Sequence, residues 1–135
     1  MRRAMMMRAI EPASLIAHTD RLVVRPLHWS DWDVWRDAWS RPTRAPNPWA
    51  LRPMQPSELE EAAFDAIVRR HQASIAADHD YHLMVFSSDE RTLIGQTSLM
   101  DVSRGIFQNA YLGYAIFDRH WRRGYALEAC HATLS

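Results

Sequence analysis

Between an apolar run that ends at Phe117 and a run of helix formers that starts at Tyr125, the chain places the turn His120-Trp121-Arg122-Arg123-Gly124-Tyr125-Ala126. A strand followed within a few residues by a helix has to lay that helix back on its own sheet, which makes this unit the strongest constraint on the fold. A glycine where a helix begins lets backbone approach a ligand closely, and the unpaired N–H groups of the first helical turn bind anions. Arg122 and Arg123 add positive charge at the same corner. The chemistry points to a phosphate or pyrophosphate without saying which nucleotide carries it. On spacing alone a plainer reading stands beside it, in which Gly124 only makes a turn and the arginine pair is a solvated corner.

The segments upstream supply the sheet and the helices that this unit needs. Leu22-Val23-Val24-Arg25-Pro26-Leu27 reads as a strand, confined by Pro26 to an edge or a strand end. Ser30 is the expected N-cap of a helix with Asp31 and Asp33 in its first turn, and Trp32, Trp35, Arg36 and Trp39 form one face of it. That face reads as core, not as a base-stacking platform. Residues 41–56 carry Pro42, Pro46, Pro48, Pro53 and Pro56 among Arg41, Arg44, Trp49 and Arg52, so they read as a long surface loop. Ser57-Glu58-Leu59-Glu60 looks like a capping box that opens a second helix to about Ala77, with Leu59, Ala63, Ile67 and Val68 facing inward.

Tyr81 to Phe86 and Thr92 to Met100 read as paired strands joined by Ser87-Ser88-Asp89-Glu90, with Gly95 marking a bulge or a close backbone approach. After a loop over 101–108, the run from Ala110 to Phe117 is apolar on both faces, which marks a central strand. The order is β-α-α-β-β-β-α, an α/β or α+β layer fold without repeats.

Composition removes several classes of function. The 135 residues fit one domain, expected over 19–135 behind a flexible leader at 1–18. The 16 basic residues are all arginine and balance 16 acidic ones, so no net field favours nucleic acid or an anionic membrane. The absence of lysine removes Schiff-base chemistry, a lysine base and the P-loop lysine. Cys130 is the single cysteine, which precludes an internal disulfide or cysteine metal cluster and fits a reducing cytoplasm. His79 and His82 splay to different faces beside a strand, and His18, His28, His71 and His131 have no ligand spacing, so no metal is expected. The basic start lacks the apolar run of ~7–15 residues of a secretory signal. No stretch reaches the ~20 apolar residues of a membrane span.

Four ordered segments resemble one family. Gly124 and Ala126 match the last fixed positions of the acetyl-CoA loop of the GNAT acetyltransferases, Gln/Arg-x-x-Gly-x-Gly/Ala, while Trp121 stands where Gln or Arg is usual. Trp121-x-Arg123-Gly124-Tyr125-Ala126-x-Glu128-Ala129 resembles the variant of the ribosomal-protein N-acetyltransferase branch. Thr19-Asp20-Arg21-Leu22-Val23-Val24-Arg25-Pro26-Leu27 is similar to the first strand of that branch, Leu93-Ile94-Gly95 to its third and Ala110-Tyr111-Leu112-Gly113-Tyr114 to its fourth. The resemblance spans about residues 19–135 and implies a mixed, mostly antiparallel sheet flanked by helices.

It also implies a reaction. An acetyl group would pass directly from acetyl-CoA to a primary amine, most simply a protein N-terminal amine such as that of a ribosomal protein. Main-chain N–H groups from Arg122 and Arg123 through Gly124, Tyr125 and Ala126 to Leu127 would hold the pyrophosphate. The pantetheine arm would pair with main chain near Tyr114, Ala115, Ile116 and Phe117, where an N–H at a bulge would polarise the thioester carbonyl. That strand holds no Glu or Asp, so Asp101, Tyr111 and Tyr114 are the candidates for proton transfer, and at most one of the two tyrosines can face substrate. The loop at 41–56, with Trp49 and Arg52, falls where the family builds its acceptor wall; its basic character argues against polyamines or aminoglycosides.

The family pattern continues beyond the position of Ser135 with a fifth strand, a fourth helix and two more strands. The resemblance therefore implies an open, apolar strand edge prone to pairing with a second copy as a homodimer. Weak stability or association and poor activity are expected of the 135-residue chain alone, and a non-catalytic CoA-binding fragment is the rival reading.

Overall fold

A computed structural model of the chain describes residues 15–41, 54–106 and 108–134. The strands are β1 (Ala17–His18), β2 (Leu22–Arg25), β3 (Tyr81–Ser87), β4 (Leu93–Ser103) and β5 (Asn109–Ile116), and the helices α1 (Trp32–Ser40), α2 (Glu61–Ala76) and α3 (Tyr125–Leu134). The strands form one sheet in the order β1-β2-β3-β4-β5, each antiparallel to its neighbours.

Both faces of this sheet are covered, which is why its strands are apolar at consecutive positions. Val23, Met84, Phe86, Leu93 and Phe117 face α1 and α2, where they meet Trp35, Ala38, Phe64 and Val68. Leu22, Val24, Leu83, Val85, Ile94 and Ile116 face α3 and its buried Ala129. The tryptophan face is core, as its spacing suggested. Trp35 lies 6.1 Å from Trp32 and 5.1 Å from Phe64, and Trp39 meets Phe117 edge-on at 4.9 Å.

Several local expectations are corrected. Ala17 and His18, assigned to the leader, pair with Val24 and Val23. Ser30 is not an N-cap: a 3-10 turn over Trp29–Asp31 precedes α1, and His28 Nδ1 accepts the Ser30 N–H at 3.2 Å. Asp31 is buried and takes a bidentate contact from Arg25 at 2.8 and 2.9 Å, an attraction stronger than that of a helix end. The capping pair before α2 is Gln55 and Glu58, whose Oε1 accepts the Gln55 N–H at 3.0 Å. The 3-10 turn Pro56–Leu59 changes the phase of the helix that follows, so Phe64, Val68 and Ile75 are buried while Leu59, Ala63 and Ile67 are only half-buried. The predicted loop at 41–56, with Trp49 and Arg52, lies mostly outside the described residues.

Among the described residues β5 pairs with β4 alone and exposes Tyr111, Leu112 and Tyr114. This matches the open strand edge that the family pattern implied for these 135 residues, and differs from the central strand, covered on both faces, that its apolar run suggested. Gly95 meets both halves of its expectation. The β3–β4 register skips Ile94, and a Cβ on Gly95 would stand 2.3 Å from the Ala115 carbonyl oxygen and 2.8 Å from Ile116 Cα.

His71 of α2 stacks on His82 of β3 at 4.6 Å, and His82 Nδ1 lies 3.0 Å from the Ser98 hydroxyl of β4. Burial, then repulsion from His82 and Arg70, lowers the His71 pKa from 6.5 to about 4.

Two outcomes are expected. Gly95→Ala forces β4 and β5 apart against main chain that cannot yield, and urea denaturation should show a loss on the order of 3 kcal/mol. The unfolded chain protonates His71 near 6.5 and the folded chain only near 4, so stability is full above 6.5 and declines as pH falls towards 4. Denaturation midpoints of His71→Gln should show a shallower decline over that window; an unchanged slope would contradict the assignment.

Candidate functional site

The strand-turn-helix unit closes on itself through tertiary contacts. β5 ends at Ile116, whose carbonyl accepts the Trp121 indole N–H at 2.7 Å, so the residue that replaces the usual Gln or Arg ties the turn to the strand. Arg122 and Gly124 both have left-handed backbone, with φ of 66° and 78°. A Cβ on Gly124 would come no nearer than 3.6 Å to any other side chain, so the backbone angle, not space, calls for glycine. The first helical bond of α3 runs from Glu128 N–H to Gly124 O at 3.2 Å. The N–H groups of Tyr125, Ala126 and Leu127 precede it and point out of the helix end.

The outer edge of β5 faces the same space. Phe117 N–H donates to Ile94 O at 3.0 Å, which in an antiparallel ladder turns the main-chain groups of Ala115 and Gly113 towards β4. Those of Tyr114 and Ile116 therefore point away from the sheet. A cavity of about 580 Å³ lies between this edge and the helix end.

Most of the sequence-predicted residues meet there. Tyr114, Ala115, Ile116, Arg122, Gly124, Tyr125, Ala126 and Leu127 line the cavity, together with His120 and Trp121, which the sequence reading did not assign. Phe117 does not: its side chain is buried against Trp39 on the other face, and its N–H is already bonded to Ile94. Arg123 is exposed beside the cavity and is absent from its lining. β5 stays in register with β4 from Tyr111 to Ile116, so the described pairing shows no bulge in that stretch; the β4–β5 irregularity lies between Met100 and Ser103.

The proposed proton-transfer residues separate. Tyr114 shares the α3 face with Ile116, whereas Tyr111 has the opposite parity and faces the α1–α2 side. Asp101 sits four residues beyond Thr97, the partner of Tyr114, which is roughly 13 Å along the strand. Its N–H donates to Asp80 at 2.9 Å and its carboxylate lies 3.9 Å from His79. Asp101 is therefore out of reach of a group bound at Tyr114. Cys130 is half-buried on α3, and burial raises its thiol pKa.

A cluster of residues far apart in sequence supports the turn from behind. Arg21 Nε and Nη2 contact Glu128 Oε1 at 2.8 and 2.6 Å, and the Thr19 hydroxyl donates to Oε2. Arg21 also lies over the Tyr125 ring, 4.4 Å from its centre. Burial would raise the Glu128 carboxyl, but Thr19 and Arg21 outweigh it and hold the group below the usual carboxylate range. The residues are 107 and 109 positions apart, so no local signal joins them.

The family model described as an acetyltransferase (GNAT) domain matches residues 21–135. The chain belongs to the GNAT acetyltransferases. It is 32% identical over 123 residues to the [ribosomal protein uS5]-alanine N-acetyltransferase of Escherichia coli (strain K12). That match covers 86% of this chain and 59% of the relative, so the chain spans about three fifths of the relative's length. Among solved structures, the fold is similar to a ribosomal-protein-S5-alanine acetyltransferase from Vibrio fischeri, with TM-score 0.65, 15% identity, and 88% of this chain and 64% of that one covered. It is also similar to Mycobacterium smegmatis RimJ in complex with CoA-disulfide, with TM-score 0.64, 16% identity, and 84% and 54% covered.

An alanine at position 124 imposes the left-handed angle on a Cβ-bearing residue, at a cost of about 1–2 kcal/mol. Gly124→Ala is expected to bind acetyl-CoA about tenfold more weakly in calorimetric titration, which corresponds to ~1.4 kcal/mol. Equal affinity would mean that the turn does not hold the ligand.

Proposed function

We propose that this GNAT domain moves an acetyl group from acetyl-CoA to a primary amine, with the N-terminal amine of a ribosomal protein as acceptor, in the cytoplasm. The observation that carries the reading is one cavity shared by the N–H groups of the helix end at Tyr125–Leu127 and the outward edge of β5 at Tyr114 and Ile116, where the Ile116 carbonyl is already taken by Trp121. The first suits a pyrophosphate, since N–H groups at a helix start and the helix dipole both favour anions. The second suits the amide-bearing arm of CoA, which can add to a strand edge as a peptide does.

The outward N–H of Ile116 is free to face a thioester carbonyl, because Trp121 engages only the carbonyl of that residue. In the transfer, the amine nitrogen attacks the carbonyl carbon, the C–N bond forms and the C–S bond breaks. The thiol leaves as CoA and the amine loses one proton. Positioning of the two reactants and stabilisation of the developing oxyanion supply the catalysis. The name of the Escherichia coli relative supports an N-terminal alanine as acceptor. No helix among the described residues is long and apolar enough to cross a membrane.

Calorimetric titration with acetyl-CoA, followed by thiol release with a panel of amines, tests the proposal. Binding is expected, with release in the presence of peptides that copy ribosomal-protein N-termini. Release with polyamines or aminoglycosides instead would assign a small-molecule acceptor. Binding without release from any amine would make the domain a CoA-binding module, and no binding would overturn the reading.

A further inference from the structure

The first turn of α3 needs an anchor that its own packing does not supply. The helix has ten residues, and Ala129 is its one fully buried residue. Tyr125 and Ala126 pack only partly against the sheet. Burial of one alanine holds little area, so apolar contact leaves the direction of the first turn weakly determined. The N–H groups that face the cavity are on that turn.

Glu128 closes the first turn through its N–H to Gly124, and its side chain reaches the β1–β2 connection. That connection is itself held by hydrogen bonds. Thr19 N–H donates to Leu22 O at 2.9 Å, while Thr19 Oγ1 accepts Leu22 N–H at 2.9 Å and Arg21 N–H at 3.3 Å. A hydroxyl has one proton, and with its lone pairs engaged by main chain, that proton goes to Glu128 Oε2. Arg21 takes the other carboxylate oxygen with two nitrogens and lays its plane over Tyr125. Both carboxylate oxygens of Glu128 are engaged, and the two ends are a tight sheet turn and the start of a helix.

We propose that Thr19, Arg21 and Glu128 form a clamp that positions the anion-binding end of α3, with Arg21 also offsetting the Glu128 charge beneath the phosphate. This rests on the acetyl-CoA reading above and assigns positioning residues to it. None of Thr19, Arg21 and Glu128 lines the cavity at Tyr114–Leu127; Thr19 and Glu128 line an adjoining hollow that shares Gly124 and Leu127 with it, so they are assigned through the turn they hold.

The test compares acetyl-CoA affinity of the 135-residue chain with that of Thr19→Val, Glu128→Gln and their double variant, with folding of each checked by its denaturation midpoint. Each single change should weaken binding about tenfold through loss of a charge-assisted contact. The double variant should be no more than about twofold worse than either, since both changes break one unit. Thr19→Ser, which keeps the hydroxyl, should bind as the parent does. Thr133→Val supplies the control, because Thr133 secures the far end of the same helix to Thr97 at 2.7 Å. Its affinity should be unchanged. Loss of affinity in Thr133→Val equal to that in Thr19→Val would reduce the cluster to general support of the helix and overturn the clamp. Parent-like binding by Thr19→Val and Glu128→Gln would overturn it as well. An unsubstituted chain that does not bind acetyl-CoA overturns the reading on which the clamp rests, and is told apart by that first titration.

Discussion

The contact between Glu128 and the pair Thr19 and Arg21 joins the β1–β2 connection to α3. Without it, α3 would be held to the sheet chiefly by Ala129 and by the Thr97–Thr133 hydroxyl pair further along. With it, the turn that precedes the helix is fixed at both sides: Trp121 bonds back to β5, and Glu128 bonds across to the β1–β2 connection. An ion pair of this kind, half-exposed on the arginine side, contributes little to overall stability. Its value is geometric, since Arg21 on one carboxylate oxygen and Thr19 on the other together restrict direction as well as distance.

The sheet supplies the frame for that geometry. Apolar residues on both faces of β2, β3 and β4 let helices pack on either side, and the aromatic layer of Trp32, Trp35, Phe64, Trp39 and Phe117 closes one of them. Gly95 lets β4 approach β5 so closely that no side chain fits between them. The approach keeps β5 in register up to Ile116, and the register decides which main-chain groups turn outward. The cavity-facing edge is thus a consequence of pairing, and no side chain has to create it.

Much of this arrangement is legible in single segments. Hydrophobic periodicity marks the long helices and strands, and Gly124 beside two arginines marks the turn before α3 because the special backbone angle needs that residue. The capping residues of α1 and α2 were not legible, because Ser30 and Ser57 look like caps while 3-10 turns shift the helix starts past them. The edge position of β5 was hidden by its apolar composition, which reads the same for a buried strand and for an open one. Asp101 looked eligible as a proton-transfer group until strand register placed it far from Tyr114.

By itself, the sequence determined the class of fold, the family and the glycine turn that opens α3, because these depend on local conformational limits and on ordered motifs. Only the tertiary structure decided which of Tyr111 and Tyr114 faces the cavity, that Phe117 turns into the core, and that Thr19 and Arg21 meet Glu128. Those outcomes depend on strand register and on contacts between residues more than a hundred positions apart, and neither leaves a trace in the residues alone.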